Sequence, residues 1–152
     1  MKNIILIFFL LFLYSCGYTS VYKNQKSQDF QINIIEMTGD IEINNLIKNE
    51  LKFYSNRSSN NKYDISINSK YQRIIVSKNS AGVATDYKIS VYTKISINLN
   101  NKNNILNFSE NINIKSNSNS FEQNNYERNI KKNFASSIKN KFIIKIFNLD
   151  DN

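Results

Sequence analysis

The sequence predicts an α+β two-layer sandwich, a four-stranded, mostly antiparallel sheet with two helices on one face, in the order β-α-β-β-β-α. Three observations predict it. Four stretches alternate apolar and polar residues, the period of a half-buried strand. Two others repeat apolar residues at helical spacing, the period of a helix packed along one side. The last three strands are joined by hairpin-like connections, which makes them antiparallel neighbours and leaves both helices to cover one face.

The first strand opens at Phe30, Ile32 and Ile34, which alternate with Gln31 and Asn33, and Gly39 ends it. Asp40 is placed to cap a helix with Glu42 in its first turn, and Ile43, Leu46, Ile47, Leu51 and Tyr54 follow at helical spacing. Residues 55–62 read as a polar loop. Tyr63, Ile65 and Ile67 then alternate with Asp64, Ser66 and Asn68, and the strand runs on through 71–76 with a bulge or a change of face. Residues 77–84, around Gly82, make the turn.

The clearest strand in the chain comes next. Tyr87, Ile89, Val91, Thr93, Ile95, Ile97 and Leu99 share one face, and Lys88, Ser90, Tyr92, Lys94, Ser96 and Asn98 share the other. A polar turn over 100–104 leads into Leu106, Phe108, Glu110, Ile112 and Ile114, where Glu110 stands out on an apolar face. Ser120 and Gln123 have the spacing of a capping box, opening a helix over 121–147 about 40 Å long. Tyr126, Ile130, Phe134, Ile138 and Phe142 recur along it every fourth residue.

Ahead of this domain, over residues 30–149, the chain carries an address. Residues 1–3 form a short, weakly positive start, and residues 4–14 are an unbroken apolar run. Eleven such residues are too few to span a bilayer, which takes about 20, but they have the length of a signal-peptide core. The run ends in Leu13, Tyr14, Ser15 and Cys16, which resembles the lipobox of bacterial lipoproteins. Residues 1–15 are therefore expected to be removed as a signal peptide. Cys16 is expected to carry the lipid, a diacylglyceryl group with an amide-linked chain, and residues 16–29 to tether it to the domain. Two or more acyl chains anchor stably where one does not. Gly17 after the cysteine, in place of the Asp associated with inner-membrane retention, favours the outer membrane by resemblance, with the domain facing the periplasm.

Composition bounds the chemistry. The chain has no His and one Cys, so His triads, His bases and His-ligated metals are excluded, and acylation of Cys16 removes Cys chemistry as well. The acidic residues show no pairing motif, and the three glycines are too scattered for a phosphate loop. A binding or structural protein is expected rather than an enzyme, with no cofactor, catalytic residue or metal site. The formal charge of +8 suits anionic lipid or glycolipid phosphates, or is simply solvated surface in a Lys-rich chain. Nucleic acid is not expected as a partner, because export removes the chain from it.

Cys16-Gly17-Tyr18 with Val21-Tyr22, the run Gly82-Val83-Ala84-Thr85-Asp86-Tyr87 entering the long strand, and Tyr126-Glu127-Arg128 opening a terminal helix with Ala135 and Ile138 together resemble the lipopolysaccharide-assembly lipoproteins of the LptE (RlpB) family. The chain departs in lacking a proline before Val21-Tyr22 and in having Asp86 where many relatives carry Arg or Glu. The resemblance implies a non-catalytic outer-membrane lipoprotein that plugs the LptD β-barrel, helps it assemble and touches lipopolysaccharide. It also places ligand contacts on the turn between the second and third strands, where Arg73, Lys78 and Lys88 lie. The basic stretch Arg128, Lys131 and Lys132 is the next candidate. A free-standing lipid or glycolipid carrier and an assembly factor of another envelope machine remain as alternatives.

Overall fold

The structure, a computed structural model, describes residues 30–99 and 102–150. The signal segment, Cys16, the tether and the N-terminal motifs of the resemblance lie outside the described residues, as do Asn100 and Asn101. The element order is β1 (Phe30–Gly39), α1 (Ile41–Ser55), β2 (Asn61–Lys78), β3 (Ala84–Leu99), β4 (Lys102–Lys115) and α2 (Ser120–Asp150). The strands lie in sequence order in one open sheet. α1 carries the chain back so that β1 runs parallel to β2, and the other pairs are antiparallel.

Both helices pack on the face that holds Phe30, Ile32, Tyr63, Ile65, Ile95 and Ile97. α1 buries Ile43, Ile47 and Leu51 there, and α2 buries Phe134, Ile138, Phe142 and Ile146. Removing these side chains from water is the main force holding the two layers together, about 1.5–3 kcal/mol for each large one.

Local chemistry fixes the joints. β1 slips register between Ile34 and Glu36, so Met37 takes up the inward phase that Phe30, Ile32 and Ile34 began, and Ile35 is left 58% exposed at the bulge. Gly39 has φ +86°, and a Cβ there would stand 2.1 Å from the Ser69 carbonyl oxygen, so no side chain fits. Asp40 caps α1 as expected, its carboxylate accepting from the Ile43 N–H at 2.9 Å. In the β2–β3 turn the Asn79 side chain accepts from the N–H groups of Ala81 and Val83 at 3.0 and 2.9 Å, and Gly82 supplies the positive φ.

Some elements differ from the sequence expectation. Asn61, Lys62, Ser77, Lys78 and Ala84 belong to strands rather than to loops, and Lys102 to Asn104 are already part of β4. The cap of α2 is Asn119, not Ser120. Its side chain accepts from Phe121 and Glu122, and its carbonyl accepts the first intrahelical bond from Gln123. The Gln123 side chain accepts from the Asn117 N–H instead. Asn caps as well as Ser, and one residue earlier it takes up the donors of the new first turn, Phe121 and Glu122. Tyr126 is 50% exposed, because a strict four-residue spacing drifts about 40° per step on a helix of 3.6 residues per turn. Ile112 is likewise 38% exposed near the edge of the sheet.

Candidate functional site

The three basic residues expected at the second hairpin are placed by the strand ladder. Arg73 is opposite Ile89 and shares the helix-covered face, whereas Lys88 is opposite Ile74 and shares the open face. Lys78 stands beyond two register shifts, next to the turn and opposite Ala84. The hairpin therefore spreads the three cations over two faces and the tip. It does not gather them into one pocket.

Arg73 is engaged within the molecule. Its Nε lies 3.2 Å from Glu127 Oε1, and its guanidinium sits 3.7 Å from the centre of the Tyr87 ring. Glu127 also accepts from the Tyr71 hydroxyl at 3.2 Å and from the Gln123 amide at 2.8 Å. One turn along α2, Lys131 lies 4.3 Å from the Tyr71 ring centre and bonds Glu42 of α1 at 2.6 Å. Gln123, Glu127 and Lys131 follow at four-residue spacing and so share a helix face. The result is a chain of alternating charge and aromatic ring tying β2, β3, α1 and α2 at the hairpin end.

Glu127 is well sheltered, with 13% of its side chain exposed, so its acceptor sites are costly to leave empty. Burial, and then the Glu127 carboxylate beside it, push the Tyr71 hydroxyl up to about 12. It therefore stays a donor across the physiological range. At the base of the turn, the Ser77 and Thr85 hydroxyls donate to Asp86 and hold its carboxyl below the usual value. That bond pattern uses the acidic side chain found where the resemblance leads one to expect Arg or Glu.

Of the alternative basic residues, Lys131 is bound in this network, whereas Arg128 and Lys132 are exposed on α2. Glu110 also finds its reason. It accepts from Ser137 at 2.8 Å and from Lys141 at 2.6 Å, joining β4 to α2. Sequence reading missed Glu127 and Tyr71 as organising residues, and the four-residue spacing of Gln123, Glu127 and Lys131 was the available signal.

The face of the sheet away from the helices is polar, with Asn68, Lys70, Tyr92, Lys94, Asn107 and Ser109 near its centre. A groove of about 410 Å³ beside β1 and α1 is walled by Gln31, Asn33, Lys48, Asn49 and Lys52. Another of about 600 Å³ lies by Asn113, Lys115, Asn117, Gln123 and Tyr126. Neither is the deep apolar cavity a free-standing lipid carrier needs. Among the described residues no cluster of three acidic, His or Cys side chains is placed to hold a metal, and no helix is long and apolar enough to cross a membrane.

No family model and no curated protein matches the sequence. Solved structures do match. The fold is similar to that of rare lipoprotein B from Shewanella oneidensis, with a TM-score of 0.56 at 13% identity, covering 78% of this chain and 99% of that one. It is also similar to a protein from Caulobacter crescentus CB15 described as a lipoprotein, with a TM-score of 0.53 at 11% identity, covering 75% and 85%. The rare lipoprotein B fold is thus the fold of this chain, in line with the RlpB resemblance of the sequence.

Proposed function

We propose that this chain is an outer-membrane lipoprotein of the LptE kind, a non-catalytic plug and assembly partner of the LptD β-barrel that inserts lipopolysaccharide into the outer leaflet. The observation that carries the proposal is the fold likeness to rare lipoprotein B over 99% of that chain, joined to the lipobox ending at Cys16. Acyl chains on Cys16 hold the domain at the inner surface of the membrane, facing the periplasm.

The architecture supports that arrangement. The chain enters the sheet at Phe30, opposite Asn61, and the β2–β3 turn stands at the other end of β2. Eighteen residues at about 3.3 Å each separate these ends by roughly 55 Å, comparable to the full thickness of a bilayer. A domain tethered at one end presents its hairpin at the other, and its polar open face suits a polar barrel lumen. Lys78 and Lys88 are then the residues to meet lipopolysaccharide phosphates.

Affinity purification of the full-length chain from outer membranes tests the proposal. A stoichiometric large barrel protein is expected, together with fatty-acid labelling that Cys16→Ser abolishes. A chain that purifies alone with bound lipid would favour a free-standing carrier, and one that brings a different envelope complex would favour another assembly role.

A further inference from the structure

β1 makes its last pairing at Gly39 with Ser69, yet β2 continues for nine more residues to Lys78. Past that point β2 is paired with β3 on one side, and among the described residues no strand lies on the other. The Ser69 carbonyl faces the β1 side, where it accepts the Asp40 N–H at 2.8 Å. In an extended strand every second residue points its N–H and C=O the same way, so those of Tyr71, Arg73 and Ile75 face the uncovered side. On this stretch Ile74, Ile75 and Val76 are 52%, 48% and 54% exposed. An edge of consecutive β-branched residues with no proline invites another strand, and folded proteins cover or blunt such edges.

We propose that the distal edge of β2, residues 70–78, is a docking site that takes an extended segment of a different protein as an added strand. The expected segment has alternating apolar residues and acidic residues near its ends. Charge selects that occupant. Besides Arg73, which Glu127 already pairs, the stretch holds Lys70 and Lys78 near its two ends and no acid. A second copy pairing antiparallel about Ile74 would set Lys70 against the copy's Lys78 twice, and like charges opposite one another destabilise a sheet.

The tether that follows the expected cleavage is too short to pair along all of residues 70–78. Ile74 lies thirteen residues along β2 from Asn61, the partner of Phe30, about 43 Å at 3.3 Å per residue. The whole tether, fourteen residues from Phe30 back to Cys16, spans at most about 50 Å, so fully straight it passes Ile74 only with its lipid-bearing end and falls short of Lys78, about 56 Å away. The inference does not depend on the barrel being the partner. If no barrel protein co-purifies, the plug reading fails while edge docking stands or falls on the test below.

The test places a photo-reactive amino acid at Gln72, Ile74 or Val76 of the full chain in cells, one position at a time, and maps the crosslinked residues. The acceptors should lie on one contiguous segment of one other protein and step along it as the probe moves. Ile75→Pro removes an outward N–H and leaves the β2–β3 ladder intact, because proline is tolerated at a free edge. It should abolish the crosslinks while the purified protein unfolds within a few degrees of wild type. Should the proline variant unfold, Lys70→Glu with Lys78→Glu carries the test and should lower crosslinking at least about fivefold, near 1 kcal/mol of docking free energy. Acceptors that are scattered, lipidic, in a second copy or ahead of Phe30 would overturn the proposal. So would crosslinks indifferent to these variants.

Discussion

Where the chain enters the sheet, the Phe30 ring stacks on Tyr54 at 5.1 Å and meets Phe147 and Tyr63 edge-on at 5.6 and 5.8 Å. At the opposite end the layers are joined by Arg73, Glu127, Tyr71 and Lys131, and Ile74, Ile75, Val76 and Val83 are exposed. The first end is sealed by aromatic surface removed from water, a force that needs no ionised group. The second is held by charge and hydrogen bonds, which keep their geometry while leaving the hairpin accessible. A domain sealed where the chain enters its sheet and open at the other end can present a surface to a partner without loosening its core.

Truncating the sealed end should have the largest effect. Phe30→Ala removes the ring shared by β1, α1, β2 and α2 and should cost about 3–5 kcal/mol in urea unfolding. A loss below about 1 kcal/mol would show that this end is not where stability resides.

The charged end should give a smaller and more specific response. Glu127→Gln leaves Arg73 without its ion-pair partner and should cost about 1–3 kcal/mol, with a penalty that salt reduces. Tyr71 adds a pH signature. Its hydroxyl is raised from 10.0 to about 12, so the native state holds that proton more tightly than the unfolded chain. The resulting stability is fully present below pH 10 and is lost as pH rises toward 12. Tyr71→Phe should remove that alkaline slope, as read from thermal unfolding across the range. A slope that persists unchanged would assign it to another group.

The sequence made most of the framework readable, because alternation over residues 87–99 and the Asp40 cap are local signals that tertiary packing reinforces. What it concealed depends on pairs far apart in the chain. Glu110 on an apolar strand face makes sense only once Ser137 and Lys141 of α2 stand over it. Arg73 looked like a free cation of the hairpin until α2 set Glu127 beside it, 54 residues later. The bulge at Ile34 and Glu36 is hidden for the opposite reason, since Ile35 and Met37 are both apolar and only the parallel register to β2 decides which one faces inward. Even the misplaced cap of α2 follows from two adjacent residues, Asn119 and Ser120, with nearly equal capping power.

The smallest stability effect belongs to the tip. Because Arg73 is tied into the network, the clean variant for ligand contact is Lys78→Gln with Lys88→Gln. It should change unfolding free energy by less than about 0.5 kcal/mol. Lipopolysaccharide binding should nevertheless weaken, and more so at low salt, where exposed charges act at longer range. Binding that survives intact would move the contact to Arg128 and Lys132 on α2.

Amide hydrogen exchange of the full-length chain, with and without lipopolysaccharide, tests the division between the two ends most directly. Slowed exchange is predicted across residues 70–88, with no change in residues 30–34, 61–67 and 142–147. Protection centred on those sealed-end segments, or none anywhere at saturating lipopolysaccharide, would contradict the assignment of the open end as the surface this domain presents.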